Sequence, residues 1–326
     1  MPTWQGMEFL ERVLDALAAQ KTRYDVDLHV IDSGSTDGTW EFLEEREATF
    51  PWPLQLYRIA SAEFDHGDTR NQLAARSRGD LLVFLTQDAI PSRTDWLECL
   101  ARNFEDPRVG AVTCRNVPRA DARILTCIFS ESDPGYGEER IERTLPDPMR
   151  FAAMSGDERR LLYNFNDVAS AVRRELWEYF PFPRTMMGED ILMARGLIHA
   201  GYTIVHDVEA TVDHSHDYGP EKMQWRGFVD GKFNAEWLDR ICVATEEDIA
   251  ELSARLIEGD RARLVRLGHD GAELEALLAE ALELRTALVR GLYEGGRSAL
   301  RYPGSAIRET RKLRLLFVDP DETLRE

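Results

Sequence analysis

Five consecutive apolar residues, Leu81-Leu82-Val83-Phe84-Leu85, run without a break into Thr86-Gln87 and then Asp88. A strand solvated on one face alternates apolar and polar residues. An unbroken run, bounded by Gly79-Asp80 before it and Pro91 after it, reads instead as a strand covered on both faces. Such a strand needs helices to cover it, and the flanking chain supplies them. Phe9, Leu10, Val13, Leu14 and Leu17 fall at helical spacing, so Gly6–Gln20 is expected to be an amphipathic helix. Val26–Ile31 follows as a strand, Thr36–Arg46 as a helix, Leu54–Ile59 as a strand, Asp68–Arg78 and Thr94–Phe104 as helices, and Val109–Cys114 as a strand. The alternation predicts an α/β layer on a largely parallel sheet.

Between Arg119 and about Asn164 the pattern dissolves into Pro, Gly and charge, as in a substrate-contacting segment. Order returns with a strand over Asp167–Val172, a helix over Glu189–Ala200 and a strand pair around Tyr202–Val205 and Ala210–Val212. From Thr245 the chain reads as helices, with Leu274, Leu277, Ala281, Leu288 and Leu292 as an apolar stripe. The expected organisation is a catalytic domain over 1–240 and a helical extension over 245–326.

At 326 residues and 43% hydrophobic, the chain can bury a large core. Forty basic against 59 acidic residues give a net charge of −19, which repels polyanions and weighs against nucleic acid as a partner. One stretch runs the other way. Residues 285–314 hold eight Lys/Arg and two Asp/Glu, fit either for a solvated helical appendage or for peripheral contact with an anionic membrane. No apolar run approaches the roughly 18–20 residues of a membrane-spanning helix, and no signal peptide is evident, so the expected location is cytoplasmic. Cys99, Cys114, Cys127 and Cys242 lack zinc-site spacing and read as reduced, packed thiols.

Five short stretches carry chemistry. Asp32-Ser33-Gly34-Ser35-Thr36-Asp37 follows a strand and opens a helix, a place where ligands bind in parallel sheets. Asp32 at the strand end suits ligand contact; Asp37 suits a helix cap. His66-Gly67-Asp68-Thr69-Arg70-Asn71 opens a helix from which the Arg70 guanidinium can reach phosphate oxygens or simply lie solvated. Asp88 is either a turn residue before Pro91 or a ligand for a hard divalent cation. Glu189-Asp190 starts a helix, where acids are favoured by the macrodipole and where one carboxylate can serve as a general base. His214-Ser215-His216 follows a short strand, and strand alternation would point its two rings to opposite faces.

In order and spacing these stretches, with Pro2-Thr3-Trp4-Gln5-Gly6 ahead of them, resemble glycosyltransferase family 2, inverting enzymes of the GT-A fold, and within it a rhamnosyltransferase-like branch. The resemblance covers roughly residues 1–240. It implies a Rossmann-like mixed sheet with helices on both faces. It implies too that Thr3, Asp32 and Arg70, with Gln87, hold a nucleoside diphosphate sugar, dTDP- or UDP-linked. Asp88 matches the last acid of the family's Asp-x-Asp element and would bind Mg²⁺ or Mn²⁺, with His214 or His216 as a further ligand and His214 preferred. Thr86 stands where that element has its first Asp. Asp190 would be the base, Glu189 its neighbour, and the acceptor a hydroxyl of a glycan or lipid-linked saccharide.

Family members carry an apolar strand before the Pro-Thr-Trp-Gln-Gly stretch, and here Met1 directly precedes Pro2. The expectation is that this strand is missing, leaving neighbouring backbone groups unpaired, as from a start codon assigned too late or a shortened protein. The competing functions are a metal-dependent phosphoryl or nucleotidyl enzyme, opposed by the lack of a P-loop lysine motif, and a non-catalytic nucleotide-sugar binder.

Overall fold

The structure, a computed structural model, describes residues 1–301. Its strands and helices, in chain order, are β1 (Pro2–Thr3), α1 (Leu10–Ala18), β2 (Leu28–Asp32), α2 (Thr39–Glu47), β3 (Leu54–Arg58), α3 (His66–Arg76), β4 (Leu81–Leu85) and β5 (Ile90–Pro91). There follow α4 (Trp96–Arg102), β6 (Val109–Val117), α5 (Ile124–Ser130), β7 (Ile141–Arg143), α6 (Pro148–Ala153), α7 (Gly156–Leu162), β8 (Ala169–Arg173) and α8 (Arg174–Tyr179). The last are α9 (Glu189–His199), β9 (Thr203–Asp213), α10 (Pro220–Trp237), α11 (Asp248–Arg266) and α12 (Gly271–Arg301). The chain divides into two compact units. One comprises Met1–Arg119, Asp133–Ala153 and Leu161–Ser215; the other comprises Ala120–Ser132, Met154–Arg160 and the chain from His216 onward.

The first unit holds two sheets. β1, β2 and β3 are parallel, in that order, as the alternating pattern predicts. The other sheet runs β4-β8-β6-β9-β5 with β7 beside β9, and only its β6–β9 pair is parallel. The sheet is therefore mixed rather than largely parallel, because β8, reached after the long weakly patterned segment, enters antiparallel between β4 and β6. The strand pair expected around 202–212 is one strand, β9, whose register against β6 shifts at Cys114/Arg115. There the buried Asp207 carboxylate accepts from the main-chain N–H groups of Glu209 and Ala210. Leu10, Val13, Leu14 and Leu17 on α1, and Trp96, Cys99 and Leu100 on α4, pack into the core with Val30, Leu85 and Val112.

The run Leu81–Leu85 forms β4, yet Val83 is 39% exposed, so one face of the strand is incompletely covered. β4 ends the sheet order, and beside it lies a cavity of about 890 Å³ whose lining includes Met1, Leu28, His29, Val83 and Trp96. At the N-terminus Pro2 and Thr3 pair with Ile31 and Asp32, and the Met1 amino group donates to the His29 carbonyl.

The second unit is helical. Leu264, Leu274, Leu278, Ala281 and Leu284 pack around Leu125 and Ile128; of the stripe read in the sequence, Leu274 and Ala281 lie in this core, Leu277 packs against it and Leu292 packs against the neighbouring one. Arg285, expected on a basic surface, is instead buried: Nε and Nη2 each donate to Asp260 at 2.8 Å, and the guanidinium lies 3.8 Å from the Phe129 ring centre. Arg290 and Arg297 are exposed, and residues 302–314 of that stretch lie outside the described residues. Glycines four apart on α10 (Gly227, Gly231) and α12 (Gly291, Gly295) let the two backbones touch; a Cβ on Gly291 would collide with the Gln224 carbonyl oxygen. Because backbone cannot swing aside as a side chain can, Gly291→Ala is expected to lose about 1–3 kcal/mol of stability. Urea denaturation followed by circular dichroism measures it, and an unchanged midpoint would contradict this packing.

Candidate active site

The site assembles at the carboxyl ends of β1, β2 and β4. Asp32 ends β2 fully buried, and its carboxylate accepts from the N–H groups of Gly34 and Ser35, the Ser35 hydroxyl and, at 3.4 Å, the Thr3 hydroxyl. Gly34 sits at φ 82, a left-handed conformation that glycine adopts without strain, and this lets the turn close over the carboxylate. Asp32 thus shapes the Gly/Ser turn from beneath. Asp37 holds the start of α2: its carboxylate accepts from Thr39 N, Thr39 Oγ1 and Met7 N. Burial pushes the Asp37 carboxyl up, but these donors outweigh it and leave the group below its ordinary value.

Gln87 uses both ends of its amide on one residue. Trp4 N donates to Gln87 Oε1 and Gln87 Nε2 donates to Trp4 O, both at 2.8 Å. Gln5 next to it has φ 49, uncommon for a side-chain-bearing residue, and its Oε1 accepts from Thr36 N at 2.7 Å. The clamp and the strained turn fix a backbone whose indole, on Trp4, is 56% exposed. An exposed indole beside a fixed backbone offers a flat apolar face on which a ring could stack. Trp4 appears in the sequence only as part of a loose motif; nothing in its spacing marks it as exposed.

Asp88, the next residue after Gln87, faces the end of β9. His214 Nε2 lies 3.7 Å from Asp88 Oδ2. His214 is buried to 7% exposure, its N–H donates to Val117 O, and its carbonyl accepts from the Tyr136 hydroxyl at 2.9 Å. The chain continues through Ser215 to His216, and one ligand atom from each of Asp88, His214 and His216 lies within 4.8 Å of the others. The two rings are therefore not directed to opposite faces. β9 ends at Asp213, so strand alternation no longer governs the residues that follow. One carboxylate oxygen and two imidazole nitrogens at this spacing form a donor set that fits a divalent cation.

The diphosphate contact expected of Arg70 meets a different environment. Arg70 is 3% exposed; its Nη1 donates to His66 O at 3.0 Å and to Glu189 Oε1 at 3.3 Å, and its Nε lies 2.9 Å from Asp167 Oδ2. Asn71 beside it accepts from Trp177 Nε1 and Phe182 N and donates to Phe182 O, so α3 grips the segment leading into α9. α9 begins after Gly188, at φ 83, with Glu189 and Asp190 in its first turn. This cluster joins the rest through Val168, next to Asp167, whose carbonyl accepts from Thr86 N at 2.9 Å. Asp167 is the residue missed in the sequence, where it reads only as the start of a strand.

Solved structures of similar fold are glycosyltransferases. One is the mannosyltransferase PcManGT from Pyrobaculum calidifontis in complex with GDP-Man and Mn²⁺, with a TM-score of 0.51, 20% identity, and coverage of 99% of this chain and 81% of that one. Another is S. aureus TarS 1–349 in complex with UDP-GlcNAc, with a TM-score of 0.52, 17% identity, and coverage of 92% and 90%. The fold is thus that of the GT-A class of sugar transferases. The pattern of Glycosyl transferase family 2 matches residues 1–156. The O-antigen chain rhamnosyltransferase RfbN of Salmonella typhimurium is 33% identical over 244 residues, covering 74% of this chain and 73% of the relative. WbaN of Salmonella anatum, of the same description, is 34% identical over 226 residues, covering 68% and 67%. The chain belongs to glycosyl transferase family 2.

Glu189 supplies a pH test of the site. Burial, then the charges of Asp167 and Asp190, push its carboxyl well above the ordinary value of 4.5, against the opposing pull of Arg70. The unfolded chain therefore releases this proton at lower pH than the folded chain, so stability falls as pH rises above about 4.5. Glu189→Gln removes that dependence. Its stability relative to the parent should rise between pH 4 and pH 8 in urea denaturation; a pH-independent difference would contradict the assignment.

Proposed function

We propose that this chain is an inverting transferase that moves a sugar of the rhamnose type from a dTDP- or UDP-linked donor to a hydroxyl of a glycan or lipid-linked saccharide, in polysaccharide biosynthesis. The observation that carries the reading is the continuity of two features: Gln87 clamps Trp4 beside Thr3 and Asp32, and the next residue, Asp88, meets His214 and His216. Because Gln87 joins the Trp4 backbone to the residue preceding Asp88, a base stacked on the indole and a cation-bound diphosphate at Asp88 would belong to one site. The sugar-nucleotide donors named with PcManGT and TarS, and the rhamnosyltransferase names of RfbN and WbaN, support the substrate class.

Asp88, His214 and His216 are the residues that would hold a divalent cation, Mg²⁺ or Mn²⁺. When bound it supplies neutralisation of the charge on the departing diphosphate. Asp190 takes the proton of the acceptor hydroxyl, and that oxygen attacks the anomeric carbon from the face opposite the diphosphate. The new carbon–oxygen bond forms as the bond to phosphate breaks, so the anomeric centre inverts in one displacement without a covalent nucleophile.

A thermal-shift screen of UDP-, dTDP- and GDP-sugars with Mn²⁺ identifies the donor, because a ligand that binds the native state alone raises its apparent stability. With that donor, Asp88→Ala should lower metal-dependent transfer about 100-fold or more while the fold persists. Asp190→Asn should lower transfer by about 100- to 10,000-fold with donor binding intact. Full transfer by the Asp190 variant would remove it as the base. Donor binding without turnover in the parent, across a panel of acceptors, would instead favour a non-catalytic binder.

A further inference from the structure

Three carboxylates and one guanidinium meet at the start of α9. Arg70 comes from α3, Asp167 from the turn before β8, and Glu189 and Asp190 from the first turn of α9. Arg70, Asp167 and Glu189 are 3%, 7% and 5% exposed, so none of the three lies open to a solvent-borne ligand. Among them Arg70 is the sole cation, and its two contacting nitrogens face different carboxylates. Glu189 is the residue preceding Asp190, so whatever fixes Glu189 fixes the peptide that carries Asp190. The helix start gives little help of its own: Gly188 caps it without a side chain, and the left-handed turn there is one that many backbones could relax from.

We propose that Asp167 is a positioning residue for the transfer reaction: acting through Arg70, it holds Glu189 in place and thereby aims the Asp190 carboxylate at the acceptor hydroxyl. This rests on the reading of Asp190 as the base. Asp167 touches no substrate. Its charge holds the Arg70 fork open toward two partners; without it the guanidinium is free to collapse onto Glu189 and draw the first turn of α9 with it. A displacement of about 1 Å in a reacting group is enough to lower a rate about 100-fold, so a residue remote from the chemistry can govern kcat.

The groups facing Glu189 are Arg70, Asp167 and Asp190, and Asp167 is a larger source of upward pressure on its carboxyl than Asp190. Replacing Asp167 by Asn keeps the shape and removes the charge. Glu189 then releases its proton at lower pH.

The test is turnover of dTDP-rhamnose with a lipid-linked saccharide acceptor, followed as released dTDP. Asp167→Asn is expected to lower kcat about 10- to 100-fold with the donor KM changed less than about threefold. The fall in stability with rising pH that Glu189 imposes should move to lower pH in Asp167→Asn, read by urea denaturation across pH. Arg70→Gln should lower kcat comparably, and the double variant should be no slower than Arg70→Gln alone, because the two act in series. Parental kcat in Asp167→Asn, or additive losses in the double variant, overturns the proposal. If Asp167→Asn does not fold, Arg70→Lys takes its place: a compact ammonium cannot span both carboxylates, so kcat should fall likewise, and its retention overturns the proposal. An Asp190→Asn variant that still transfers sugar would sink the underlying base assignment; a dead one beside a fully active Asp167→Asn would sink this inference alone.

Discussion

A guanidinium with almost no exposure to water ties the catalytic half of this protein together. Arg70, on α3, joins the approach to β8 and the first turn of α9, both of which lie about a hundred residues further along the chain. Isolated, a charge buried this deeply would be prohibitive; flanked by Asp167 and Glu189 it becomes a tether whose removal leaves two carboxylates facing each other in low dielectric. Asn71 reinforces the tether from the next position by satisfying the Phe182 main chain in both directions and the Trp177 indole N–H. Gly67 on the same helix allows the contact, since a Cβ there would run into the Pro183 carbonyl. The stretch from His66 to Asn71 is therefore a structural hub that ties α3 to the segments around β8 and α9.

Much of this was legible in the sequence, for identifiable reasons. Helices α1 and α4 and strands β2 and β3 commit residues to a single core, the condition under which a 3.6- or 2-residue repeat is informative, whereas α9 and β6, buried nearly throughout, were legible from their apolar content. Asp88 and the His-x-His pair were legible as candidates because a polar residue at a strand end needs a partner. Two kinds of information were not. Strand direction is carried by the path of the chain between 119 and 164, whose short helices α5, α6 and α7 have little periodicity, so the antiparallel entry of β8 left no trace. Side-chain direction was equally hidden: nothing in the order of residues distinguishes an Arg70 aimed at phosphate from an Arg70 turned inward, and both open a helix.

Asp88, His214 and His216 come together although the first acid of the expected Asp-x-Asp element is absent. Thr86 stands where a first acid is expected, and its hydroxyl and N–H are directed at the Val168 carbonyl. The carboxylate count falls, but β9 stops one residue before His214, which frees His214 and His216 from strand alternation and brings both toward Asp88. Of the three clustered side chains, one offers carboxylate oxygen and two offer imidazole nitrogen. Tyr136, from the segment without clear pattern, holds the main chain of His214. A residue in the least readable part of the sequence supports one in the most readable.

Two buried ion pairs in this chain differ in a way that separates structure from function. Asp260 and Arg285, in the helical unit, meet through two aligned hydrogen bonds, with Arg263 adding a third to the carboxylate and Phe129 lying against the guanidinium. Every feature of that pair serves to lower its energy. Arg70 and Asp167 are as close, 2.9 Å, yet Arg70 Nε and Asp167 Oδ2 form no aligned hydrogen bond, and Glu189 sits by them with its carboxyl displaced toward the neutral form. The Arg70 guanidinium is shared between Asp167 and Glu189, so two carboxylates from different segments set its position, whereas Arg285 gives both of its donors to Asp260.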